Sequence, residues 1–137
     1  MDKILISSLK KIPTKGGDIF HALKSSESDF NGFGEAYFSN IDFNNIKAWK
    51  RHLKMTCNLI VPNGKVRFVF FDEDLSTNKI VDIGVDNYCR ITVKPKTWFG
   101  FKGLNSPSSL ILNIADIPHD SNEIERKEIN FFNFDWS

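Results

Sequence analysis

Cysteine is scarce in this chain, with two copies, and proline hardly commoner, with five. Cys57 and Cys89 lie far apart in sequence, which excludes a disulfide framework and reads as two reduced thiols in a cytoplasm. No apolar run is long enough to span a bilayer as a helix. The opening M-D-K-I-L-I-S-S-L-K-K is too short in its apolar part for a secretory signal and has no small-residue cleavage pattern. Charge of one sign is missing as well: 18 basic residues face 17 acidic ones, for a net charge of +1. That balance excludes a broad field for gripping nucleic acid or an anionic membrane. It leaves room for a local basic pocket that takes one phosphorylated small molecule. There is no glycine-rich phosphate loop, no G-x-S-x-G elbow and no internal repeat.

What the chain does have is phenylalanine, 13 copies, with three Trp and two Tyr in 137 residues. Aromatic residues favour strands, and strand-like runs recur at short spacing with turn formers between them. They are expected at 4–9, 19–24, 35–39, 46–52, 58–61, 65–72, 80–85, 88–93, 98–101 and 110–115. Pro62-Asn63-Gly64 marks a tight hairpin, because Asn-Gly favours the left-handed backbone that such a turn needs. Residues 122–128 are expected as a short helical turn, followed by an aromatic tail. The length suits one domain over 1–137, and the pattern is that of an all-β sandwich or barrel.

The stretch Asn45 to Glu73 concentrates the candidate chemistry. With period-two alternation, Ala48, Lys50 and His52 share one face of their strand, and Lys47, Trp49 and Arg51 share the other. Burying Lys50 and His52 without a partner is costly, so a wet polar cavity is inferred beside them. An exposed edge strand is the alternative. Tyr37 is a candidate proton donor, or an amphipathic core residue. His21 sits on an otherwise apolar run and reads as structural or as a site residue. Asn58 and Asn113 lie in apolar strands and need hydrogen-bond partners, whether protein, water or ligand. Trp98 is a candidate for stacking on a base or sugar, or for packing. Lys47 and Arg67 are further candidate substrate contacts.

Six segments together resemble the dTDP-4-dehydrorhamnose 3,5-epimerase family. They are G-D-I-F-H-A-L-K (17–24), F-N-G-F-G-E-A-Y-F-S (30–39), I-K-A-W-K-R-H-L-K-M-T (46–56), V-P-N-G-K-V-R-F-V (61–69), W-F-G-F-K-G (98–103) and D-I-P-H-D-x-x-E-I-E-R (116–126). The resemblance implies a cupin-like jelly-roll barrel, usually a dimer, that uses no metal or other cofactor. It also implies epimerisation of nucleotide-linked 4-keto sugars by removal and return of a proton beside the ketone. Of the two His, following Glu and further His of a cupin metal site, Lys50 replaces the first His, no Glu follows His52 before the turn, and 95–101 holds no His. Against the main epimerase branch, Lys50 stands at the position of the base His, and the acid Tyr falls near Leu112. The phosphate-binding Arg falls at Gly16-Gly17, the next acidic position at His21, and another Arg at Lys47. Related sugar 3,4-ketoisomerases carry H-x-H, whose second His matches His52.

Two readings follow. In the first, His52 or Lys50 is the base and Tyr37 or His21 the acid, in an epimerase or isomerase of surface polysaccharide assembly that acts as a cytoplasmic homodimer. In the second, the barrel binds a nucleotide sugar without turnover.

Overall fold

The computed structural model describes residues 1–74 and 77–137. Two five-stranded antiparallel sheets face each other. The first runs β1 (Ile4–Ser8), β9 (Cys89–Val93), β6 (Cys57–Asn63), β11 (Ser108–Ala115) and β4 (Glu35–Asp42). The second runs β12 (Ile124–Arg126), β5 (Ile46–His52), β10 (Trp98–Gly103), β7 (Lys65–Phe71) and β8 (Asn78–Gly84). A small hairpin, β2 (Lys11–Ile12) with β3 (Ile19–Phe20), stands apart from both. This is the cupin-like double-sheet barrel that the strand spacing and the resemblance imply. No helix among the described residues is long and apolar enough to cross a membrane.

The Pro62-Asn63-Gly64 turn joins the two sheets. Gly64 has φ +90, and a Cβ there would come within 2.2 Å of Ser109 Oγ, so the turn admits only glycine. That hydroxyl ties the turn down by accepting from the Lys65 amide at 3.0 Å.

Alternation decides what lies between the sheets. Leu59 and Val61 of β6, Phe68 and Phe70 of β7 and Ile91 of β9 point inward into one core. Each fully buried side chain of this size contributes about 1.5–3 kcal/mol through apolar burial. The other face of the second sheet carries Trp49, Val69, Phe71 and Trp98. The C-terminal tail folds back over them with Phe132 and Trp136. Phe71 and Phe132 stack with centroids 4.3 Å apart, and Trp49 Nε1 donates to the Ile129 carbonyl at 2.9 Å.

Three expectations are corrected here. The strands on either side of Pro62-Asn63-Gly64 do not pair as a hairpin: β6 pairs with β9 and β11, and β7 with β8 and β10, so the turn carries the chain from one sheet to the other. Residues 122–128 are not a helix: a 3-10 turn at Ser121–Glu123 leads straight into β12. The expected strand at 19–24 stops at Phe20, so His21 lies beyond it.

Candidate active site

The period-two reading of β5 meets an irregularity. Phe99 pairs with Lys50, while Phe101, two residues on, pairs with Lys47, three residues back. One extra residue of β5 is absorbed between them, a bulge. Gly100 makes it fit, since a Cβ there would lie 2.5 Å from the Ala48 Cβ. The bulge turns Lys47 to the same side as Lys50 and His52, while Trp49 packs on the opposite face.

These side chains meet in a cavity of about 160 Å³ between the sheets. His52 and Lys50 of β5 and Phe99 of β10 come from one wall, and Tyr37 of β4, Cys57 of β6 and Asn113 of β11 from the other. A larger cleft of about 590 Å³ shares Lys47, Lys50, Phe99 and Phe101 with it, and adds Arg126 and Lys127. The inner chamber holds ionisable groups in a mostly apolar wall, and the outer one carries basic side chains.

His52 is buried, and its Nδ1 lies 2.5 Å from Glu123 Oε2. The carboxylate is fixed in turn, because its other oxygen accepts from the amides of Met55 at 2.9 Å and Lys54 at 3.1 Å. Nδ1–H therefore donates to Glu123, and Nε2 carries the lone pair. Nε2 is buried and has no hydrogen-bond partner among the described residues. Burial lowers the His52 pKa below its ordinary 6.5 against the opposing pull of Glu123, so the ring is neutral near neutral pH. Burial alone raises the Glu123 pKa, but the hydrogen bonds from His52, Met55 and Lys54 outweigh it and the net shift is downward.

Lys50 places its ammonium 5.6 Å over the Phe99 ring, and burial lowers its pKa from the ordinary 10.5. Tyr37 is 39% exposed, at the open end of the chamber. Burial of its hydroxyl raises the phenol's pKa, so it remains a protonated donor in the neutral range. Burial pushes the Cys57 thiol up to about 12, which leaves it unreactive in the wall. Among the described residues no three His, Cys, Asp or Glu side chains gather as metal ligands.

Of the residues singled out from sequence, His52, Lys50, Tyr37, Lys47 and Asn113 come together here. The other four do not. Trp98 is buried on the opposite face of its strand, in the tail-covered aromatic cluster. Arg67 also points outward, where Nε and Nη2 clasp Asp82 at 2.8 and 2.9 Å. Asn58 turns its side chain to the outer face of the first sheet, accepting from the Thr92 hydroxyl at 2.7 Å. His21 follows the small hairpin, and its carbonyl accepts from the Tyr88 hydroxyl at 2.8 Å.

Two further residues, Glu123 and Arg90, do structural work that their sequence context does not reveal. Glu123 stands 71 residues from the histidine it holds, and its one signal was its place in the D-I-P-H-D-x-x-E motif. Arg90 is fully buried on the outer side of the first sheet. It pins the 22–29 segment through the Ala22 carbonyl at 2.8 Å and through the carboxylates of Glu27 and Asp29.

Fold and site define a cupin-like β-barrel with a buried histidine–carboxylate pair in its chamber. No family model matches the sequence, and no curated protein matches it. Solved structures do. A dTDP sugar isomerase from Desulfovibrio desulfuricans G20 superposes with a TM-score of 0.91 at 35% identity, over 97% of this chain and 90% of that one. The sugar 3,4-ketoisomerase QdtA of Thermoanaerobacterium thermosaccharolyticum, in complex with TDP, gives 0.78 at 17% identity, over 91% and 88% of the two chains. The 3,5-epimerase RmlC of Legionella pneumophila Philadelphia 1 gives 0.80 at 14%, over 95% of this chain and 75% of that one. The last two likenesses are of fold. The first is of sequence as well, and on it the chain belongs to the dTDP-4-dehydrorhamnose 3,5-epimerase family of cupin-fold nucleotide-sugar epimerases and isomerases.

Proposed function

We propose that the protein is an isomerase of a nucleotide-linked 4-keto sugar, with His52 as the base, Lys50 as the cation facing the developing oxyanion and Tyr37 as the acid. The observation that carries this reading is the buried Nε2 of His52, without a partner among the described residues while Glu123 holds the other ring nitrogen. A carbon beside a ketone is acidic because its anion is an enolate. A neutral imidazole removes that proton, and a nearby ammonium stabilises the enolate oxygen. The Tyr37 O–H then delivers a proton to the carbon, the phenolate recovers one from solvent, and the imidazolium of His52 releases the proton it took back to solvent. Base and acid come from opposite sheets, which suits loss from one face of the sugar and return to the other, as in epimerisation. Lys47, Arg126 and Lys127 supply the outer cleft with positive charge for the nucleotide diphosphate.

A 3,4-ketoisomerase is the second reading. The chain spans 88% of QdtA, against 75% of RmlC. The test is incubation with a nucleotide 4-keto-6-deoxy sugar in deuterated water, followed by NMR. Deuterium entering beside the ketone with inversion supports an epimerase, and a ketone moved to the neighbouring carbon supports the isomerase. Thermal stabilisation by the nucleotide sugar without exchange of label indicates binding alone.

The same reading carries a homodimer, supported by Phe33 and Phe38, which stay exposed on and beside the edge strand β4. A cytoplasmic setting and a role in surface polysaccharide assembly belong to the same proposal.

A further inference from the structure

We propose that Asn113 is a positioning residue that aims the Tyr37 hydroxyl proton into the chamber, and so sets which face of the sugar receives it. This rests on the reading of the site given above. Asn113 and Tyr37 are direct cross-strand partners on β11 and β4. Asn113 is buried, and two hydrogen bonds of its side chain bear on Tyr37. Oδ1 accepts from the Asn58 backbone amide at 3.1 Å, and Nδ2 lies 3.1 Å from the Tyr37 oxygen.

The first bond decides the second. A backbone N–H can only donate, so the atom facing Asn58 has to be the amide oxygen. The NH₂ group is then the one that meets Tyr37, and the phenol oxygen is the acceptor. With the Asn113 donor on one of its lone pairs, the phenol cannot turn its own O–H toward Asn113 and presents it instead to bound substrate. A carbonyl or carboxylate in place of that NH₂ would reverse the polarity and draw the phenol proton out of the chamber. Asn58 is held in its turn, with its Nδ2 donating to the Ile114 carbonyl at 3.3 Å. The amide that fixes Asn113 therefore cannot swing away.

Asn113→Asp is the informative variant. It keeps the acceptor for the Asn58 amide and replaces the donor facing Tyr37 with an acceptor. Inversion of the sugar carbon is expected to fall on the order of 10²-fold, the scale of a displaced general acid, with KM little changed. Deuterium wash-in at the same carbon, which needs His52 and Lys50 but not Tyr37, continues within about threefold of the wild-type rate. In a Tyr37→Phe background the same substitution costs nothing further. Equal loss of wash-in and inversion, or an equal loss in the Tyr37→Phe background, overturns the proposal.

A second readout does not depend on turnover. The chain has two tyrosines, so in a Tyr88→Phe background the tyrosinate absorbance reports Tyr37 alone. Loss of the Asn113 donor removes a bond that favours the phenolate, and the titration moves to higher pH in both Asn113→Asp and Asn113→Ser. The serine variant covers the case in which the aspartate variant does not fold. An unmoved titration overturns the proposal. A wild-type protein that exchanges no label with any keto sugar overturns the catalytic reading instead.

Discussion

The His52 imidazole and the Glu123 carboxylate are joined at 2.5 Å through Nδ1 and Oε2, although 71 residues separate them in the chain. The bond fixes the tautomer, and so fixes which nitrogen is available to a substrate. His52→Gln is expected to abolish deuterium wash-in, with a fall on the order of 10²–10⁴-fold. Glu123→Gln is expected to cost about tenfold or more, and its pH profile is the sharper test. Glu123 holds the His52 pKa up against the burial that lowers it. Removing the charge drops that pKa further, so the acid limb of kcat/KM moves to lower pH while the plateau falls. A limb that moves upward would contradict the assignment.

Lys50 makes the opposite demand on pH. It must keep its proton to face an oxyanion, and burial lowers its pKa from 10.5. Activity is therefore expected to decline on the alkaline side at a pH below the ordinary lysine value. Lys50→Arg keeps a cation that does not titrate in this range, so its alkaline limb should shift upward even if kcat falls with the altered reach. Lys50→Met removes the charge and is expected to lower kcat on the order of 10²-fold. Similar profiles for the wild type and Lys50→Arg would remove Lys50 from the chemistry.

How much of this was legible beforehand follows from which interactions are local. Alternation and the Pro62-Asn63-Gly64 turn are local, and they placed nearly every strand. Period-two alternation puts Lys47 on the side opposite Lys50, but a bulge at Ala48 breaks the period, and the bulge depends on Gly100 of another strand. Trp98 and Arg67 looked like ligand contacts because their types are common in binding sites. Only the tail folding over one, and Asp82 lying opposite the other, show that both are satisfied by protein. The role of Glu123 is hidden for the same reason, since its motif marks the residue but its partner is remote in sequence. His52 was legible because burying an imidazole between apolar strands calls for a function or a partner, and here it has a partner on one nitrogen only.

The buried pair also predicts an acid-labile fold. The folded-state pKa of His52 lies below 6.5, so on acidification the unfolded chain takes up that proton first. Stability then falls as pH drops from 6.5 toward the folded-state value. Glu123 has the same sign: its folded pKa lies below the ordinary 4.5, and its contribution is lost as pH falls through that lower range. Urea midpoints measured from pH 8 down to pH 4 should decline first in the histidine window. In His52→Gln the decline in that first window should flatten. A wild-type midpoint that rises on acidification would refute the neutral, buried imidazole.

Trp98, in the aromatic cluster on the far side of the second sheet, should matter for stability and not for substrate recognition. Trp98 is 5% exposed and packs against Phe132 at 6.0 Å, with the Arg51 guanidinium 5.0 Å from its ring centroid. Trp98→Ala opens a cavity there and is expected to cost about 3–5 kcal/mol, visible as a large drop in the urea midpoint. Conditions that keep the variant folded should leave KM for the nucleotide sugar within about threefold, because the ring faces away from both the chamber and the cleft. Trp49 tests the same point from the strand that carries the site. Its ring lies 4.9 Å from Phe132 and 5.4 Å from Trp136, yet its backbone lies between Lys47 and Lys50. Trp49→Ala should therefore lower stability by a similar amount and also lower kcat, since β5 loses the packing that holds the bulge. Equal effects of the two substitutions on kcat would mean that the aromatic face acts on the site as one unit, not through β5.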